Sequence, residues 1–168
     1  MSRLTIALGI FAITTFIALG LGVSQAQADC QYLACTINCG GGDCFGSPGD
    51  VDDVICGTAG VDNIFAGKGS DTICAGNGGD FIFGGFGDDL IDGEGGADLI
   101  QGGWGEDDID GGSGDDTIDA GQCNDIVEGG ANPDTCTGGL GDDTITGCTT
   151  VDLGDETSQA GGKCDLFD

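Results

Sequence analysis

A nine-residue period constrains this chain more than any other feature. From Gly57 to Thr146 the sequence divides into ten consecutive nonapeptides with no insertion or deletion. The sixth position is Asp62, Asp71, Asp80, Asp89, Asp98, Asp107, Asp116, Asp125, Asp134 and Asp143, an unbroken column. The eighth is Ile64, Ile73, Ile82, Ile91, Ile100, Ile109, Ile118, Val127, Cys136 and Ile145. The fourth is Gly except at Cys123 and Asn132, and the second is Gly except at Thr58 and Glu94. No nonapeptide can bury a core alone, so a short fixed period means units that stack and share one.

Each position has a physical task. Gly at positions two and four admits φ > 0 and a tight turn. Positions seven to nine form a short strand, with the aliphatic residue at eight pointing inward and its neighbours outward. Asp at six closes the loop and offers a carboxylate. Two nonapeptides make one turn of a right-handed coil, so residues 18 apart stack at about 4.8 Å. The expected fold is all-β: a right-handed parallel β-roll, or β-solenoid, of five turns over residues 57–146, with a thin core of two Ile ladders. Residues 29–56 read as a Cys-rich N-terminal cap with one degenerate repeat, in which Asp53 to Cys56 match positions six to nine. Residues 147–168 read as a degenerate repeat and a C-terminal cap; Asp152 keeps the Asp column, and Gly154 in the inward position ends the roll.

The chain has 37 Gly, 30 Asp+Glu, 3 Lys+Arg and no His, for a formal charge of -27. That balance excludes nucleic acid and anionic membrane surfaces as partners. It favours multivalent cations, which take hard oxygen ligands. Composition alone would suggest disorder. A disordered tract would not hold an Asp column and an aliphatic column in register through ten repeats.

Residues 1–28 resemble a secretory signal peptide: Arg3 is the only charge, an apolar stretch runs from Leu4 to Val23, and Ala26-Gln27-Ala28 is an A-x-A cleavage signature. The alternative is an uncleaved anchor, since the stretch approaches spanning length. A lipid anchor on Cys30 is disfavoured by Asp29 before it. Ten Cys after an export signal read as disulfides in an oxidising compartment; the spacing of Cys30, Cys35, Cys39 and Cys44 also leaves a metal or iron–sulfur site open. Cys56 and Cys74, both at position nine and 18 apart, are expected to bond each other. The clusters Cys30, Cys35, Cys39, Cys44 and Cys123, Cys136, Cys148, Cys164 are expected to pair internally.

The segments Gly84-Gly85-Phe86-Gly87-Asp88-Asp89-Leu90-Ile91-Asp92 and Gly111-Gly112-Ser113-Gly114-Asp115-Asp116-Thr117-Ile118-Asp119 resemble the G-G-x-G-x-D-x-U-x repeat of repeats-in-toxin (RTX) proteins, the hemolysin-type calcium-binding family. The resemblance implies Ca²⁺ ions between stacked loops on both edges of the roll, held by the ten position-six Asp side chains and by loop carbonyls. It implies up to about eight sites, one for each Asp pair 18 apart, from Asp62/Asp80 to Asp125/Asp143. The loops with Cys123 and with Asn132-Pro133 depart from the pattern.

The outer positions carry two apolar features. Phe65, Phe81, Phe83 and Leu99 stand on one sheet, either under the N-terminal cap, the favoured reading, or as a contact surface. Phe86 and Trp104, at position three of stacked loops, should pack together. The second sheet's outward positions include Thr72, Leu90, Asp92, Asp108, Asp110 and Glu128. A chain without His, with its acids in repeat positions, reads as a non-enzyme. The expected function is a secreted calcium-binding roll that folds on its ions and serves as a structural or interaction module. Alternatives are a subunit or adhesive surface component that binds a protein or carbohydrate partner, and an ice-binding module, which the mixed residues of position three disfavour.

Overall fold

The computed structural model describes residues 34–40 and 42–154. The segment 1–28, Cys30 and Cys164 lie outside it. Among the described residues there is no helix, and every strand belongs to one of two parallel sheets. The first sheet runs β1 (Ile37–Asn38), β3 (Val54–Thr58), β5 (Thr72–Gly76), β7 (Leu90–Asp92), β9 (Asp108–Asp110), β11 (Ile126–Glu128) and β13 (Thr144–Thr146). The second runs β2 (Asp43–Phe45), β4 (Asn63–Lys68), β6 (Phe81–Phe86), β8 (Leu99–Trp104), β10 (Thr117–Gln122), β12 (Thr135–Leu140) and β14 (Thr150–Asp152). Successive strands alternate between sheets, so the chain winds as a parallel β-solenoid of about six turns.

The 18-residue register holds throughout the repeats, as in Ile73↔Ile91, Ile82↔Ile100 and Val127↔Ile145. Period-two alternation then turns every position-eight side chain inward, and Ile55, Ile64, Ile73, Ile82, Ile91, Ile100, Ile109, Ile118 and Val127 are all buried. Ala66, Ala75 and Ala120 at position one fill the gaps beside them. The solenoid also continues past the repeats on the N-terminal side. Ile37 pairs with Ile55, and Cys44 pairs with Ile64 across a connection two residues longer than a regular turn.

Glycine is needed where the turn demands left-handed backbone. Position two adopts φ > 0 in every repeat but the first, and Gly103 (φ 125) stacks its backbone so closely on Gly85 that a Cβ would strike the carbonyl below. The non-Gly residues with φ > 0 are Glu94, Cys123 and Asn132, which are repeat substitutions visible in the sequence. The second-sheet strands of the repeats run six residues rather than three, because positions one to three of the following loop stay paired, as in Gly85↔Gly103 and Phe86↔Trp104.

Four expectations are corrected. Asp152 does not continue the Asp column: β14 pairs Cys136↔Val151 and Thr137↔Asp152, a step of 15 residues, because the Cys136–Cys148 disulfide (Cα–Cα 6.1 Å) draws in a shortened loop. Cys56 and Cys74 do sit side by side in register, but in-register residues on parallel strands project the same way. Cys56 bonds Cys35 instead, at Cα–Cα 5.7 Å, so the first four Cys do not pair among themselves alone. Cys74 is also disulfide-bonded, as is Cys123. Cys39 bonds Cys44, which with Cys35–Cys56 excludes the metal-site reading of those thiols. Among the described residues, the N-terminal cap meets one end of the aromatic stripe. β2 joins its sheet and adds Phe45, which stacks on Phe65 at 5.4 Å and is 64% exposed. Last, Asp92 and Asp110 are not outward residues but buried ones, with Asp92 Oδ1 accepting the Glu94 N–H and Asp110 Oδ1 the Gly112 N–H.

Candidate metal centre

The Asp column lies at the two edges where the sheets meet. Its residues from Asp62 to Asp134 are buried, and Asp143 at the end of the stack is half-buried. The two oxygens of each carboxylate face different ways. Oδ1 accepts the backbone N–H of the Asp one turn earlier: Asp80 from Asp62 at 2.8 Å, Asp98 from Asp80 at 2.7 Å, Asp116 from Asp98 at 2.8 Å, and so on to Asp143 from Asp125 at 2.9 Å. That bond fixes the side chain and satisfies an amide the turn would otherwise orphan.

Oδ2 has no partner. In Asp71, Asp80, Asp89, Asp98, Asp107, Asp116, Asp125, Asp134 and Asp143 it is buried without a hydrogen bond. A carboxylate oxygen can only accept, and burying one unpaired costs on the order of 1–3 kcal/mol or more. The surroundings make matters worse. A Cβ on Gly93 would lie 2.8 Å from Asp98 Oδ2 and 2.6 Å from the carbonyl oxygen of Gly111 in the next turn. Gly111 is flanked likewise by Asp116 Oδ2 at 2.8 Å and the Gly129 carbonyl at 2.6 Å. The same two acceptors meet at Gly84 and at Gly102. Carboxylate and carbonyl oxygens from successive turns therefore crowd the same points, and the carboxylate oxygens have no donor.

Electrostatics agree. Burial, opposed by the N–H bond and reinforced by neighbouring carboxylates, pushes Asp89 and Asp125 up to about 8. Asp98 and Asp107 rise to about 7 and Asp71 and Asp116 to about 6 for the same reasons, and Asp80 is raised too. Burial also lifts Asp92 to about 7. Lys68, the lone basic side chain among the described residues, pairs with exposed Asp50 at 3.2 Å and not with the column.

Such a site suits a hard divalent cation with many oxygen ligands. No three acidic or sulfur side chains gather at one point among the described residues, so loop carbonyls or water would have to complete any shell. A family model, the RTX calcium-binding nonapeptide repeat, matches the chain in four copies at residues 48–82, 75–109, 101–136 and 129–147. The chain belongs to the RTX calcium-binding nonapeptide repeat family. No match was found among curated proteins or solved structures. RTX repeats bind calcium, and here they form the β-roll.

Of the ten Asp, the first stands apart. Asp62 Oδ2 accepts the Thr58 N–H at 2.7 Å and the Thr58 hydroxyl at 2.8 Å, and its Oδ1 accepts the Gly42 N–H at 3.2 Å. The Thr at position two, where the other repeats have Gly or Glu, was the signal for this difference. The loops with Cys123 and Asn132 keep the column geometry, with Asp125 and Asp134 Oδ2 both open. Sequence reasoning missed the burial of Asp92 and Asp110, whose Oδ1 atoms accept N–H groups of the following loop.

Proposed function

We propose that this chain is an exported protein whose roll folds by binding Ca²⁺ between stacked loops and serves as a structural or interaction module outside the cell, without catalytic activity. The row of buried, unpartnered Asp Oδ2 atoms carries the reading. A cation bound there would supply the positive partner that the protein does not, and the position-six Asp residues with loop carbonyls would be its ligands. Disulfides at both ends fit an oxidising compartment. The A-x-A signature at 26–28 supports removal of residues 1–28, so protein recovered from the medium should begin at Asp29. Titration calorimetry tests the ion: several Ca²⁺ per chain should bind near 10⁻⁴–10⁻³ M, the range of extracellular modules, with Mg²⁺ a poor substitute. Absence of calcium binding would overturn the reading.

A second reading, as a surface component that binds a partner, is favoured by the aromatic stripe. Phe45 and Leu99 are exposed, and Phe65 packs on Phe45 and on Phe81 (5.6 Å). Pull-down from the native source with and without Phe45→Ser tests it; equal recovery would remove the stripe from consideration.

A further inference from the structure

The stack has nine open carboxylates, and the two Asp that precede them are closed by hydroxyl residues. At Asp53, Ser47 donates its N–H to Oδ2 at 2.6 Å and its hydroxyl to Oδ1 at 2.9 Å. At Asp62, Thr58 donates both its N–H and its hydroxyl to Oδ2. Oδ2 lies toward the following turn: a Cβ on Gly93 would meet both Asp98 Oδ2 and the Gly111 carbonyl of that turn, and one on Gly111 would meet both Asp116 Oδ2 and the Gly129 carbonyl.

The backbone explains Thr58. The other nine residues at position two all adopt φ > 0, whereas Thr58 does not. A β-branched residue avoids left-handed space, so its peptide turns the N–H toward Asp62. Substitution of Gly alone is not enough to close a site. Glu94 also replaces Gly, yet it accepts φ 62, sends its N–H to Asp92 at 2.8 Å and leaves Asp98 Oδ2 open.

We infer that Thr58 stands in for a calcium ion at the first repeat, so that the Asp62/Asp80 pair binds none and ion loading begins at Asp71/Asp89 and Asp80/Asp98. The N-terminal turn then serves as an ion-independent end on which calcium-dependent turns stack. At the other end, a Cβ on Gly129 would meet Asp134 Oδ2 and the Cys148 sulfur where inner repeats present a loop carbonyl, and Asp143 has no regular turn after it among the described residues. Of the nine open carboxylates, the seven from Asp71 to Asp125 therefore have a following loop. This rests on the calcium reading and sharpens it.

The test is the ion count of the oxidised mature protein by native mass spectrometry in calcium. Wild type should hold seven, Thr58→Gly eight, and Thr58→Ser, which keeps the hydroxyl, seven. Eight ions in wild type, or no gain in Thr58→Gly, overturns the inference, whereas no ions in wild type overturns the calcium reading itself. Hydrogen exchange in chelator gives an ion-free readout. The amide at position 58 should be protected in wild type and in Thr58→Ser and exchange faster in Thr58→Gly; rapid exchange in wild type contradicts the hydroxyl cap.

Discussion

At the residue scale, the two oxygens of each position-six Asp divide structural and ligand work. Removing a central side chain loses both, so Asp98→Ala should raise the calcium midpoint of folding well above that of Asp134→Ala. A Cβ on Gly129 would meet Asp134 Oδ2 and the Cys148 sulfur, whereas one on Gly93 would meet Asp98 Oδ2 and the Gly111 carbonyl. Midpoints of the two variants, followed by circular dichroism, check the order. The raised carboxyls also predict a pH dependence. In the ion-free roll, groups lifted from 3.8 to about 6–8 bind more protons folded than unfolded. Stability in chelator should therefore fall as pH rises from about 4 to 8. Calcium must displace those protons, so the calcium midpoint should rise as pH falls from 8 to 6. Parallel titrations at pH 6, 7 and 8 give both slopes, and a calcium midpoint that does not move with pH contradicts the carboxylate assignment.

At the element scale, each turn depends on a buried aliphatic residue and on glycines that let backbones touch. Ile100→Ala, at a fully buried site, should cost about 2–5 kcal/mol in calcium. Gly103→Ala should cost more than about 1 kcal/mol, because the new Cβ meets the Gly85 carbonyl at φ 125. Thermal denaturation in millimolar calcium measures both. These elements were legible in the sequence because the period repeats ten times: the Ile column, the glycine turns, the Asp column and the Phe86–Trp104 stack (6.1 Å) all follow from it. What lay off the period was not. The Cys35–Cys56 bond and the three-residue slip at β14 depend on loops present once each. The burial of Asp92 and Asp110 follows from the path of the next loop, and strand alternation alone sends position nine outward.

For the whole molecule, a formal charge of -27 meets a core one side chain wide. Without ions, carboxylates stacked along both edges repel, and the short Ile ladders must also overcome the backbone entropy of a Gly-rich chain. Seven divalent ions would bring +14 and satisfy the open oxygens, so binding free energy appears as folding free energy. The Cys35–Cys56 and Cys39–Cys44 bonds at one end and Cys136–Cys148 at the other would retain order there in chelator and leave the middle to calcium. The most direct test is far-UV circular dichroism of the reduced mature protein during calcium titration. The account predicts mostly coil in chelator, a steep change to β as calcium is added, and reversal on chelation. The same β spectrum and thermal midpoint in chelator as in millimolar calcium would contradict it.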